Sequence, residues 1–379
     1  MHSKQRYLFI DLLRFLAVVF MVQGHTFDAL LDFELRSTTL FFVHDFFHGF
    51  IAPMFLFASG TAFGISTFKK WQEHVVWTRH VWRRIGKFIG LLIIGYALHL
   101  PYFSLQKILT EATEGEIATW QQVDALHCIA ATLLILQLSI LVLKTEKRFI
   151  QCVSIGAVIV IFLSPIVWSI NFKSVFPLWL VSYLNSGNNS WFPLFPWSAY
   201  LLCGVIFSWL FINAKEHRQA MKFMQKAVVG GVLAFTLSLI VVNLPFNIYP
   251  HHDVWKVNPL IIVARLGFVA VITSAVFFAE HTMSIKSQIP QIMGRESLFI
   301  YVLHLVILYG SVVNKGLQQI VLPTLSVTQS TLYFVVILGG ITMFTYGWYH
   351  FKVHYKRTAL VMKFATAGIF IILFLVRPY

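Results

Sequence analysis

Long apolar runs separated by short polar connectors recur along the whole chain, for example Phe88–Leu98 and Val153–Val167. A helix needs about 20 mostly apolar residues to cross the hydrocarbon of a bilayer. Placed by length and hydropathy, about eleven spans are predicted, at 8–26, 47–67, 87–104, 125–143, 149–169, 197–213, 227–243, 259–279, 296–313, 331–349 and 359–376. No linker, low-complexity tract or repeat interrupts them. The expectation is an all-α, polytopic integral membrane helical bundle, with a single domain over 1–379.

Composition agrees with the pattern. Charged residues make up 12% of the 379 and hydrophobic residues 58%, with a mean hydropathy of +0.75. Soluble domains carry about 25% charged residues, so a soluble domain is excluded. The formal net charge of +14 does not call for nucleic acid, because basic residues collect on the cytoplasmic side of membrane proteins. With a cytoplasmic N-terminus, 20 Lys and Arg fall on inner segments, Lys4, Arg6 and Lys286 among them, and 6 on outer ones. An odd number of spans then puts the C-terminus outside. The segment Met1–Arg6 with the apolar stretch after it is read as a first span and not a signal peptide. No small-residue cleavage site follows it, and Asp11 and Arg14 interrupt it. Cys128, Cys152 and Cys203 show neither metal spacing nor a disulfide framework and are read as packing residues.

Ionisable residues inside the predicted spans carry the functional signal, since each costs at least about 2.5–3.5 kcal/mol on insertion scales. Asp11, Arg14 and His25 share one face of the first span, and Arg14 and His25 lie about 16 Å apart along it. An Asp11–Arg14 pair that merely orients the helix is an alternative. His44 and His48 enter the second span from outside, so three histidines gather at the outer ends of two helices. Histidine suits proton transfer near neutral pH. No HExxH-type metal pattern is present. Asp124 and His127 open the fourth span with i,i+3 spacing, which fits either a tuned imidazole or an ordinary helix start. Arg265 lies about two turns inside the eighth span. Ser297, Tyr301 and His304 share a face of the ninth, with His304 near mid-membrane, as a buried brace or a catalytic group. The inner loops are basic, notably Lys69, Lys70, Arg79, Arg83 and Arg84.

These residues resemble a known group. Arg14, ten residues and then His25 is similar to the arginine-x10-histidine signature of bacterial membrane acyltransferases that O-acetylate surface polysaccharides. The run from Asp11 to His25 and His48-Gly-Phe-Ile-Ala-Pro53-Met-Phe-Leu-Phe-Ala-Ser-Gly60 also resemble the heparan-α-glucosaminide N-acetyltransferase catalytic family. So do the stretches around Asp124 and His127, Phe192-Pro-Leu-Phe-Pro-Trp197, and Gly294 to His304, in the expected order.

The resemblance implies a transmembrane acyltransferase. It takes acetyl from cytoplasmic acetyl-CoA and passes it to a sugar hydroxyl or amine on the outer face, without a metal. Lys69, Lys70, Arg79, Arg83 and Arg84 would hold CoA phosphates, or form a plain positive-inside loop. The stripe from Arg14 to His25 would line the path of the pantetheine arm. Heparan-type enzymes place the catalytic histidine in the loop after the first span and an asparagine at the His25 position. This chain has histidines in both places, so the base is His25, the first choice, or His44 or His48. Arg14, oriented by Asp11, would position the donor. His44, His48, Asp124, His127, Trp197, Arg265, Ser297, Tyr301 and His304 would serve the acceptor. Expected partners are the lipid bilayer, acetyl-CoA and a carbohydrate acceptor, with a homodimer left open; the expected location is a bacterial inner membrane. A proton-coupled transporter using the same His, Arg and Asp residues is the rival reading, and a scaffold protein the third.

Overall fold

The computed structural model of the chain describes residues 7–245, 248–283 and 287–377. Lys4, Arg6 and Lys286, and with them the Met1–Arg6 segment, lie outside the described residues. Of the described residues, 81% are helical. In chain order the helices are α1 (Leu8–Leu30), α2 (Thr39–His48), α3 (Ile51–Phe68), α4 (Arg79–Leu98), α5 (Leu105–Glu111) and α6 (Glu114–Trp120). There follow α7 (Ala125–Leu143), α8 (Glu146–Ser169), α9 (Leu178–Leu184), α10 (Leu194–Glu216), α11 (Ala220–Val242) and α12 (Val254–Val257). The last six are α13 (Pro259–Thr282), α14 (Ile289–Arg295), α15 (Ser297–Leu308), α16 (Leu317–Val321), α17 (Val327–His354) and α18 (Lys356–Val376).

Among the described residues, nine helical segments are long and apolar enough to cross a membrane, or ten if the α14–α15 pair, bent by 80°, counts as one. The chain is therefore an all-α polytopic membrane protein. The third expected span, 87–104, falls on α4, which begins at Arg79 and carries Arg79, Arg83, Arg84 and Lys87 in its first half. That half is too polar for hydrocarbon. The expected span 296–313 is cut short: α15 ends at Leu308, and Gly310 (φ +86°) turns the chain into a two-stranded hairpin, β1 (Gly310–Ser311) and β2 (Asn314–Lys315). A left-handed φ of that size suits glycine alone without strain. His304 therefore stands four residues from a helix end and not in mid-span.

Contacts divide the chain into two units. The first takes the chain up to Ile51, Ala97–Trp120 and the part from Ile285 on. Here α1 packs on α14, α15 and α17, and α17 on α18. α1 is buried through Phe9, Leu13, Ala17, Val18 and Val22. Its crossing with α14 is close because Gly294 presents no side chain to the backbone of Asp11. The end of α1 is pinned twice. Leu325 N–H donates to Leu30 O and Asp32 N–H to Leu325 O, both at 3.0 Å. Arg36 Nη2 donates to the carbonyls of Asp28 (2.7 Å) and Leu31 (2.9 Å), which the helix itself leaves unmet.

The second unit takes Ala52–Tyr96 and Gln121–Ser284. Its backbone is built from α11 against α13, α10 against α8, and α7 against both α8 and α10. Tyr200, Phe149 and Phe211 are its largest fully buried side chains.

Gly294→Ala would drive a Cβ into the Asp11 carbonyl oxygen. The α1–α14 crossing must widen, an overpacking cost of about 1–3 kcal/mol. Thermal unfolding in detergent should show a clearly lower midpoint; an unchanged midpoint would mean the crossing is not tight.

Candidate active site

In the first unit the fold brings four histidines together: His25 from α1, His44 and His48 from α2, and His304 from α15. The His25 ring lies 5.1 Å from that of His304 and 6.1 Å from that of His48, centroid to centroid. His44 and His48, one turn apart, stack at 6.0 Å with an interplanar angle of 8°. His48 seats itself because Gly24, the residue before His25, has no Cβ; one there would overlap the imidazole.

Hydrogen bonds assign the protons. His25 Nδ1 is 3.1 Å from Tyr309 Oη, and Tyr309 Oη is 3.1 Å from Asp28 Oδ2. A carboxylate can only accept, so the single phenolic proton goes to Asp28. Tyr309 then accepts from His25, whose Nδ1 carries the hydrogen and whose Nε2 keeps a lone pair. Arg36 Nη1, 3.7 Å from Asp28 Oδ1, holds the carboxylate in place. His304, fully buried, donates from Nδ1 to Ile300 O at 2.9 Å, so its Nε2 also keeps a lone pair, and that atom is buried without a partner among the described residues. The Nδ1 atoms of His44 and His48 are buried and unpartnered in the same sense. Gln23 meets His44 Nε2 through either end of its amide, at 2.9 and 3.1 Å.

Beside His44 lies an apolar cleft of about 330 Å³, walled by Phe27, Leu31, Leu35, Leu40, Phe41 and Val43 with Gln23 and Thr38. Among the described residues no three His, Cys, Asp or Glu side chains form a metal-ligand group. Tyr301 lies 5.6 Å from His304, ring to ring, and Ser297 is buried on the same face. Asp11 pairs with Arg295 (3.4 Å), which also donates to Tyr349 (3.1 Å), so the inner end of the Arg14 face is tied to α14 and α17.

The remaining expected site residues lie in the second unit. Asp124 caps α7: its Oδ1 accepts from His127 N–H at 3.0 Å and sits 2.7 Å from His127 Nδ1. Both are buried, and the ring lies 4.2 Å from Tyr96. The pair is a helix start and a fixed imidazole at once. Arg265 is buried against Trp255 and Trp197.

On the loop between α3 and α4 and the first turns of α4 the basic residues divide. Arg84 turns inward, donating to Phe63 O (3.3 Å), Ser66 Oγ (3.2 Å) and Thr67 Oγ1 (2.8 Å), with Nη1 2.9 Å from His74 Nδ1. It braces the loop. Lys70 is paired with Glu73, while Arg79 and Arg83 are exposed. Lys69 faces Lys215; burial and that like charge hold its ammonium below its ordinary range.

Asp28, Tyr309 and Gln23 escaped sequence reasoning. Asp28 is one turn beyond His25, a usable signal, but Tyr309 comes from the far end of the chain.

A model of the heparan-alpha-glucosaminide N-acetyltransferase catalytic family matches residues 6–244, more than half of the chain, and the protein belongs to that family. It is thus a member of a group of transmembrane acyltransferases. A comparison with curated proteins finds no match.

His74, outside the spans, has its pKa pushed down to about 4 by burial, Arg84 and His80. Below pH 6.5, its ordinary value, the unfolded chain takes up the proton first, so stability present above 6.5 is lost as pH falls towards 4. Unfolding midpoints measured from pH 7.5 down should fall more steeply for wild type than for His74→Gln. Parallel curves would show that His74 is not the titrating group.

Proposed function

We propose that the protein transfers an acetyl group from cytoplasmic acetyl-CoA to a hydroxyl or amine of a carbohydrate on the outer face, with His25 as general base. The reading rests on one observation above all: the Asp28–Tyr309–His25 hydrogen-bond chain, which leaves the His25 Nε2 lone pair facing His304 and His48. Donor chemistry comes from the thioester, whose carbonyl carbon is the electrophile.

His25 Nε2 takes the proton of the acceptor O–H or N–H as that atom attacks the carbonyl. The new C–O or C–N bond forms, the C–S bond breaks, and the proton returns from His25 to the leaving thiolate. Imidazolium formed on His25 is stabilised through Tyr309 by the Asp28 carboxylate. A covalent acetyl-imidazole on His25 is the alternative course. His48 and His44, with Gln23, line the approach and orient the acceptor, while Arg14 attends the donor. Exposed Arg79 and Arg83, with Lys69 and Lys70 beside them in sequence, offer the phosphate contact. Arginine suits bidentate contact with phosphate and lysine acts as a point charge. The location consistent with these parts is a bacterial cytoplasmic membrane.

The transporter reading differs in one measurable respect, its independence of CoA. Purified protein in detergent should bind acetyl-CoA and release CoA slowly. His25→Ala should lower turnover by about 100–10,000-fold, the usual contribution of a general base, while remaining folded. An active His25→Ala would move the base to His44 or His48; no acetyl-CoA binding at all would favour transport.

Tyr309→Phe removes one hydrogen bond to the base, worth about 1–1.5 kcal/mol. It should lower kcat about tenfold and leave KM for acetyl-CoA unchanged. An equal rise in KM would make Tyr309 a structural residue only.

A further inference from the structure

A guanidinium stays charged at any pH that a protein meets. Buried charge is costly unless it is paired and hydrogen-bonded. Arg265 departs from that rule. It stands six residues after Pro259, about 9 Å along α13 from the helix start, and is only 2% exposed. Its Nε and Nη1 are buried without an acceptor among the described residues. Among the described residues no carboxylate pairs with it; the Tyr200 hydroxyl is the polar group beside it.

Its surroundings are aromatic. The guanidinium carbon is 4.8 Å from the ring centroid of Trp255 and 6.0 Å from that of Trp197. Tyr200, fully buried, lies 5.8 Å from Trp197, ring to ring. Cation–π attraction offsets part of the desolvation cost but meets none of the N–H donors. Trp197 Nε1 is a further buried donor without an acceptor. Both indoles are half-buried, so the box opens past them.

We propose that Arg265, Trp197 and Trp255 form a binding site for a phosphate-class oxyanion, presented as a lipid headgroup or free in solution. Three unmet donor nitrogens on two side chains, carrying four N–H groups, ask for several acceptor oxygens in different directions, which a tetrahedral oxyanion offers and one carboxylate edge does not. Arg265 stands about 9 Å from the start of a helix long and apolar enough to span a membrane, near enough to that end for either source to reach. An ionisable residue inside a span, with no carboxylate to pair it, marks a functional site by default. This site does not rest on the chemistry proposed at His25.

The test is thermal unfolding of the full chain in an uncharged detergent. Wild type is compared with Arg265→Met, first with inorganic phosphate against chloride at equal ionic strength, then with phosphatidylglycerol added to the micelles. A site-bound anion raises the midpoint of wild type by several degrees and leaves Arg265→Met unmoved. A response to inorganic phosphate assigns a soluble oxyanion; a response to phosphatidylglycerol alone assigns a headgroup. Without either anion, Arg265→Met should be at least as stable as wild type, since an uncompensated buried charge is gone. No shift in wild type, or equal shifts in both proteins, overturns the site. Should Arg265→Met not fold, Trp197→Phe, which keeps the ring and removes the indole donor, must weaken the anion's effect; an undiminished shift overturns the site as well.

Discussion

The chain of hydrogen bonds from Asp28 through Tyr309 to His25 is the interaction on which the rest of the first unit's site depends. In a low-dielectric interior a histidine is chemically undefined until one nitrogen is assigned, because neutral imidazole donates at one atom and accepts at the other. Asp28 makes the assignment. It can do so only because α1 ends where it does. Arg36 covers the last carbonyls of that helix and leans on the Asp28 carboxylate, while Leu325 fixes the residues just beyond. The glycine at position 24 then lets His48 approach the same turn. Helix termination, a capping arginine and one missing side chain thus become a statement about which nitrogen carries a lone pair.

Buried polar groups in this protein fall into two kinds, and the division is informative. Arg84, held by Phe63, Ser66, Thr67 and His74, belongs to a satisfied network. Such networks rigidify their surroundings and leave little for a ligand. His48 Nδ1, His304 Nε2 and the Arg265 donors are the opposite. An unmet buried donor or acceptor costs about 1–3 kcal/mol, so a fold that keeps several of them does so where another molecule completes the bond. By this criterion Arg84 leaves the set of phosphate contacts, although its sequence context is the same as that of Arg83.

Much of the architecture was legible from hydropathy because a bilayer allows few spanning solutions. The run Ala125–Leu143 is a helix with the bounds read from the sequence. Legibility failed where charge and hydropathy compete or where backbone geometry intervenes: at α4, whose basic half shifts the helix towards its polar start, and after Leu308, where Gly310 reverses the chain. The histidines were found because a charge-bearing ring in an apolar run stands out. Their grouping with His304 was not, since 279 residues separate it from His25. Tyr309 had no signal at all, because tyrosines at membrane interfaces are common. Only the contact with Asp28 and His25 distinguishes it.

The family match ends at residue 244, before His304, Tyr309 and Arg265. The matched segment therefore holds His25, His48 and Asp28, while Tyr309, which links Asp28 to His25, comes from the part of the chain beyond it. A proton acceptor and its orienting group need not share a segment, for the orienting group is chosen by geometry alone: an oxygen about 3 Å from Nδ1 that already gives its own proton elsewhere. Tyr309 meets that condition because Asp28 takes the phenolic hydrogen. A serine or water in the same place, free to turn its hydrogen towards Nδ1, would let the other tautomer form, and the lone pair would point away from His304. The phenol is held by its ring against His25 and has one hydrogen to place. That rigidity makes a tyrosine the effective residue here, and it ties the competence of a base on the first helix to the turn that ends the fifteenth.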